Sequence, residues 1–369
     1  MAVVIARSAE EFERLRARWA RLPWQREEAE VDYLLVRART RPEVVAPFGL
    51  AVGSEAGIAG RIEERRLPAR FGYRTVVAPK ARVLRIVDGG IVGVAAIEAL
   101  RPVLREVDAI AFPALPVGSE LARAAHDLAG PLRRQPFAPV TPRRRLVLPA
   151  SFDDFLASRT RKIRSGIRYD SARLEEAFGG VARVRVLRRP EDAEQLVQDL
   201  EHIAGSTYQR ALGAGFADTL EQRALARLGL ERGWMRAYVL YRGADPIAYW
   251  HCSTYRGTLL LLRTGFDPAY ARHRPGIYLL MRVLEDAIGD EALTEVDFGP
   301  GDAAYKRHFS SESSLEREEV VFAASWRGLR INALRAPVLG AAQLARRGLG
   351  TRLTDRVRSR WRSRLRQGQ

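Results

Sequence analysis

The 369-residue chain has a single cysteine, Cys252, so no internal disulfide can form and a reducing compartment is expected. No apolar run reaches the ~20 residues that span a bilayer. The opening stretch carries Arg7, Glu10, Glu11 and Glu13 and does not resemble a secretory leader, so a cytoplasmic protein is expected. Histidine is scarce too. His126, His202, His251, His273 and His308 show no metal-ligand spacing, and no metal site is expected. His251 and Cys252 adjoin on an expected strand and so face opposite sides, which excludes a catalytic dyad. Neither a Walker loop nor a Gly-x-Ser-x-Gly elbow occurs. Lysine is the rarest charged residue: Lys80, Lys162 and Lys306 are the only lysines among 61 basic residues. In so arginine-rich a chain, a remaining lysine is a pointer to a place where a compact ammonium serves and a planar fork does not.

What is present is a hydrophobic fraction of 47%, enough for a large core, and a net charge of +17. The charge is concentrated. Residues 326–369 hold twelve arginines against Asp355, and residues 159–173 hold six basic residues against Asp170. The remainder is close to neutral. The tail reads either as a solvated amphipathic or partly disordered segment, or as a contact for an anionic membrane face or nucleic acid.

Ser8 followed by Glu10 and Glu11 predicts a helix start, with Phe12, Leu15 and Trp19 on one face. Short strands are expected at Val31–Val36, Phe48–Val52, Thr75–Ala78, Val83–Val87 and Ile110–Phe112, with turns at Gly53–Gly60 and Asp88–Gly90. Prolines 131, 136, 139, 142 and 149 mark a connector. Strand, cap, acids and helix then recur at 184–203, a weak sign of duplication. A three-stranded meander follows over Met235–Tyr241, Pro246–Tyr255 and Thr258–Phe266, then a helix over Pro275–Ile288, a strand Glu295–Phe298, a glycine turn, a short helix and a strand Glu318–Ala323. The order is α+β.

Three stretches carry candidate chemistry. In the first, Asp297 to Phe309, the glycines allow a tight turn, Asp302 can cap the next helix, and Lys306 follows at i+4. A helix cap with a surface ion pair and a reactive pair are both open readings. The kinase reading of Asp297-Phe298-Gly299 lacks its partner motifs, and the Gly299-x-Gly301-x-x-Ala304 spacing lacks a βαβ unit. In the second, Arg272 and Arg274 precede Pro275 and Gly276 at a helix start, where an anion is favoured. In the third, Lys162, Arg164 and Arg168 form a basic helix face, able to meet phosphate or merely solvated.

Ser151–Leu156 with Arg161–Arg164, Thr264–Tyr270, Pro275-Gly276-x-x-Leu279-Leu280, and Asp297-Phe298-Gly299-x-Gly301-Asp302-x-x-Tyr305-Lys306 together resemble the CelD/BcsL-type GNAT acyltransferases, near the Fem peptidyltransferases. The resemblance implies a GNAT fold in two tandem domains, 1–149 and 150–325, followed by a basic helical tail over 326–369. It implies acyl transfer from acyl-CoA, such as acetyl-CoA, to an amine or hydroxyl of a cell-envelope or exopolysaccharide precursor. The pyrophosphate loop is reduced to Gly276, with Tyr278 where a second small residue is usual, so an aminoacyl-tRNA donor of the Fem kind stays open. So does a non-catalytic body that binds membrane or nucleic acid through its tail. Under the resemblance Asp302, Tyr305 and Lys306 are the catalytic candidates. Arg272, Arg274, Gly276 and Ile277 would hold the donor. Lys162, Arg164, Arg168, Trp250 and His251 would meet the substrate, and the protein would sit in the cytoplasm or at the inner membrane face.

Overall fold

A computed structural model describes residues 2–72, 74–207 and 215–345. In chain order the elements are β1 (Val3–Ala6), α1 (Ala9–Trp19), α2 (Val31–Thr40), β2 (Val44–Val52), β3 (Ala56–Arg66), β4 (Ala69–Phe71), β5 (Arg74–Val77), β6 (Lys80–Val92), α3 (Val94–Glu98), β7 (Ala109–Pro116) and α4 (Glu120–Asp127). They continue with β8 (Val140–Val147), α5 (Phe152–Ala157), α6 (Arg161–Ala177), β9 (Ala182–Leu187), α7 (Ala193–Gly205), α8 (Leu220–Glu231), β10 (Met235–Arg242), β11 (Asp245–Tyr255), β12 (Thr258–Phe266), α9 (Pro275–Ile288), β13 (Glu295–Pro300), α10 (Ala304–Phe309) and β14 (Glu312–Phe322). Residues 326–345 are helical.

Two compact units result: Met1–Val140 with Leu315–Gln369, and Thr141–Ser314. The division differs from the expected boundaries for a reason visible in strand pairing. β8, expected at the end of the first domain, pairs antiparallel with β13. β14, expected in the second, pairs antiparallel with β7 from Glu316 onward.

In the first unit β1, β2, β3 and β6 are successive antiparallel neighbours, and β6 then runs parallel to β7 for three residues. In the second unit β9, β10, β11 and β12 are successive antiparallel neighbours, and β12 runs parallel to β13 for three residues. The two units thus share one pairing scheme, as the recurring strand–helix opening suggested.

Ser8 caps α1, accepting from the Glu11 N–H in a full capping box. Val31–Val36 is helical rather than a strand, because Val31, Leu34 and Leu35 form an i, i+3, i+4 stripe that buries one face. Much of Gly53–Gly60 and all of Asp88–Gly90, expected as turns, lie inside β3 and β6; their glycines accommodate close packing and a positive φ of 66° at Gly89. The proline connector contains β8. The first unit's core centres on Phe48, Leu50, Ile62, Leu84, Ile97, Val103 and Ile110. In the second, Trp250, Leu259, Leu279, Leu284 and Phe298 pack on one face of the sheet. Leu196, Leu200, Phe216 and Tyr249 pack on the other.

The tail divides. Its helix over 326–345 packs Ile331 beside Phe322, and Asn332 Nδ2 donates to Leu132 and Arg134 carbonyls at 2.9 and 3.0 Å. That part is therefore built into the first unit and is not a free solvated arm. Residues 346–369, with most of the tail's arginines, lie outside the described residues.

Candidate active site

The second unit's sheet opens into a fork. β12 and β13 pair only from Thr258↔Glu295 to Leu260↔Asp297. A bulge at Leu262 follows, where the register with β11 steps from Cys252↔Leu261 to His251↔Arg263. Past the fork, no strand among the described residues pairs with the inner edge of β12, so its N–H and C=O groups can take an extended ligand.

The glycine turn that closes β13 is held from inside. Asp297 is fully buried; its carboxylate accepts from Arg143 Nε and from the Gly299 N–H, both at 2.7 Å. Gly299 and Gly301 have φ of 70° and 107°, which only glycine adopts without strain. The Lys306 ammonium, 8% exposed, donates to the carbonyls of Gly299 at 3.2 Å and Pro300 at 2.8 Å. Burial pulls its pKa down, with Asp297 opposing. Two of its three donors are engaged, and one remains.

Asp302 does not cap α10; Ala303 stands at that position. The i, i+4 pair with Lys306 does not form, because Asp302 precedes the helix and is claimed by arginines. Its carboxylate pairs with Arg144 at 2.8 Å and Arg307 at 2.9 Å. The hydrogen bond from Arg144, then that from Arg307, hold its pKa below the usual carboxylate range.

A cleft of about 590 Å³ lies between α6, the start of α9 and α10. Ile163, Ile167, Ile277, Tyr305 and Phe309 form apolar wall, while Lys162, Arg274 and His308 also line it. The Tyr305 ring packs edge-on against Trp250 and Phe298 at 5.9 and 6.4 Å between centroids. Burial pushes its hydroxyl up to about 12, so it keeps its proton and remains a donor.

The cleft therefore brings together Lys162, Arg274, Ile277 and Tyr305 of the expected residues. Arg274 sits at the helix N-cap in the left-handed region (φ 53°), and its guanidinium binds Asp170 at 2.9 Å. Gly276 is adjacent: its carbonyl accepts from Trp250 Nε1 at 3.2 Å. Trp250 thus buttresses the wall from the core rather than facing the cleft. Arg272 is exposed and bonds its neighbour His273. Arg164 donates to the Ala157 and Arg159 carbonyls, securing the turn before α6, and Arg168 is exposed and outside the cleft lining. His251 is not at the cleft. It lies on the other sheet face, 3% exposed, edge-on to Phe216 at 6.0 Å.

Sequence reasoning missed His308 and Asp170. Both were signalled by helical spacing: His308 is three residues from Tyr305, and Asp170 continues the Ile163, Gly166, Ile167 stripe.

Residues 161–307 match the family model of an acetyltransferase (GNAT) domain. The crystal structure of FemX superposes with a TM-score of 0.56 at 12% identity, covering 93% of this chain and 100% of that one. A conserved protein of unknown function from Bacteroides thetaiotaomicron VPI-5482 gives 0.50 at 10% identity, over 86% of this chain and 100% of that one. No curated protein matches. Residues 161–307 thus match an acetyltransferase (GNAT) domain, on a chain that shares the fold of FemX.

Proposed function

We propose that the second unit transfers an acyl group from an acyl-CoA thioester, acetyl-CoA in the simplest case, to an amine or hydroxyl of a cell-envelope or exopolysaccharide precursor. The observation that carries the reading is the fork of β12 and β13 together with the cleft that Tyr305 lines. The open β12 edge suits the amide-bearing arm of CoA, which pairs as an added strand does. The acceptor's lone pair attacks the thioester carbonyl, negative charge forms on oxygen, and the carbon–sulfur bond then breaks. Tyr305 donates a hydrogen bond to the leaving sulfur. Lys306 holds the glycine turn beside the fork through two of its donors, and its ammonium charge there favours the oxyanion. Asp302, kept ionised by two arginines, orients that turn's outer side and is a poor proton acceptor. The acceptor's proton therefore leaves to solvent. Peripheral contact with an anionic membrane face is the role proposed for the basic tail over 326–369.

An aminoacyl-tRNA donor is the second reading. Arg274 is already bound to Asp170, which leaves one guanidinium fewer for a CoA diphosphate. Thermal unfolding with CoA, acetyl-CoA and longer acyl-CoAs at fixed salt separates the two. Saturation at 100 times Kd adds about 2.7 kcal/mol to stability. No shift with any thioester, but salt-sensitive binding of charged tRNA, would replace the first reading by the second.

A further inference from the structure

β4 and β5 form a hairpin that pairs with no other strand among the described residues. At its base Ala69 is buried and faces Val77; further out Arg70 faces Thr75 and Phe71 faces Arg74. From Arg70 to Val76 every described residue is exposed. Gly72, at the turn, has a φ of 59°, and a Cβ added there would meet nothing within 4 Å. The tip therefore projects into solvent, and it carries Phe71 at 47% and Val76 at 52% exposure. Folding gains little from apolar side chains held in water, and a lone two-stranded hairpin is marginally stable. The charge around them has one sign. No acid occurs between residues 65 and 87, while Arg66, Arg70, Arg74 and Lys80 are exposed. Among the described residues no ion pair engages any of these four. Leu67, just before β4, packs in one cluster with Phe322 and Ile331. The hairpin and the helix over 326–345 thus rise from a common support. Trp326, at the start of that helix, is 79% exposed, and no acid occurs from 320 to 354.

We infer that the β4–β5 hairpin is a contact site for an anionic lipid surface, with Phe71 and Val76 entering the headgroup boundary and Arg70 and Arg74 beside them at the lipid phosphates. The composition decides the class of partner. A polyanion in water would use the cations and leave Val76 without a role. A lipid surface uses both, because apolar side chains leave water while arginine stems lie along the boundary with their heads at the phosphates. A ring at the boundary and several cations together supply the two signals that stable peripheral binding takes. The inference does not depend on the acyl-transfer reading, and it places lipid contact on a segment separate from the basic tail.

The test is co-flotation of the full chain with phosphatidylcholine vesicles, with and without phosphatidylglycerol, at fixed salt. Binding is expected only with phosphatidylglycerol, and its absence there overturns the inference. A basic residue near an anionic surface is worth about fivefold in partitioning, so Arg70→Gln with Arg74→Gln should weaken binding about 25-fold. Phe71→Ser should weaken it about tenfold and leave Tm within about 1 °C. Vesicle binding equal to wild type in both variants overturns the inference. So does RNA binding that falls in variants whose vesicle binding is unchanged, since the surface then belongs to nucleic acid. A fluorophore reports insertion directly. Cys252 is buried, so a polarity-sensitive label on Phe71→Cys marks the hairpin alone. Its emission should rise and shift to the blue with phosphatidylglycerol vesicles, and an unchanged spectrum overturns the inference. Arg356→Gln with Arg358→Gln and Arg360→Gln tests the tail separately. If that chain binds as wild type does while the hairpin variants lose binding, the tail's proposed role fails and the hairpin's stands; the reverse pattern overturns the inference and keeps the tail.

Discussion

His251 makes the second unit acid-sensitive in a way that one substitution removes. The ring is 3% exposed and, among the described residues, neither nitrogen has a hydrogen-bond partner. Burial, with Arg263 adding repulsion, pulls its pKa down to about 3 from the ordinary 6.5. The folded state therefore refuses a proton that the unfolded chain accepts. For a base with a depressed folded pKa, stability is complete above the unfolded value and is lost as pH falls from about 6.5 toward 3. At pH 5 the loss is 1.36 kcal/mol for each of 1.5 pH units, about 2 kcal/mol. For a unit of this size that lowers Tm by about 4–8 °C. His251→Leu keeps an apolar side chain of similar bulk against Phe216 and has nothing to titrate. Urea unfolding of wild type and His251→Leu at pH 7.5 and pH 5.0, followed by tryptophan fluorescence, measures the difference. The variant should equal or exceed wild type at pH 7.5 and lose about 2 kcal/mol less on going to pH 5.0. Parallel losses in both proteins would refute the reasoning. They would mean that the folded ring takes up a proton, so that water or a ligand reaches it, as a substrate-binding role would require.

Three further outcomes follow from the cleft and the turn. Tyr305→Phe should leave Tm within about 1 °C, because among the described residues no hydrogen bond engages the hydroxyl, and should lower kcat about 10- to 100-fold; equal kcat would remove Tyr305 from the reaction. Lys306→Met frees two carbonyls of the glycine turn, so unfolding free energy should fall by about 2–4 kcal/mol, and Lys306→Arg should not restore it, since a planar fork does not fit where a point donor sits. Asp302→Asn should change kcat less than about fivefold, and a loss beyond a hundredfold in steady-state assays would make Asp302 the base after all.

The sequence made local order legible where residue types and spacing agreed. α9 runs from Pro275 to Ile288 as its apolar stripe and opening proline predict. Ser8 and the meander of β10, β11 and β12 came through for the same reason. Misreadings arose where composition has two solutions. Val31–Val36 is apolar enough for a strand, and only burial of Leu34 and Leu35 on one side selects the helix. Asp302 is a good cap by residue type, but Arg144 on β8, 158 residues away, and Arg307 compete for it. The cleft itself was divided among three elements, and no local pattern joins Ile163, Ile277 and Tyr305.

The scarcity of lysine shows where such a signal acquires meaning. Lys80 lies exposed on β6 and Lys162 exposed on α6, positions where arginine serves equally well in solvent. Lys306 is different: its ammonium sits within 3.2 Å of two carbonyls of one turn, in a space bounded by Gly299 and Gly301 whose added Cβ atoms would lie 4.0 and 3.9 Å from Nζ. A guanidinium is too broad for that position. Rarity alone thus pointed to three residues, and burial reduced them to one. The lysine that arginine cannot replace is the one that closes the glycine turn beside the β12–β13 fork, where the proposed chemistry is placed.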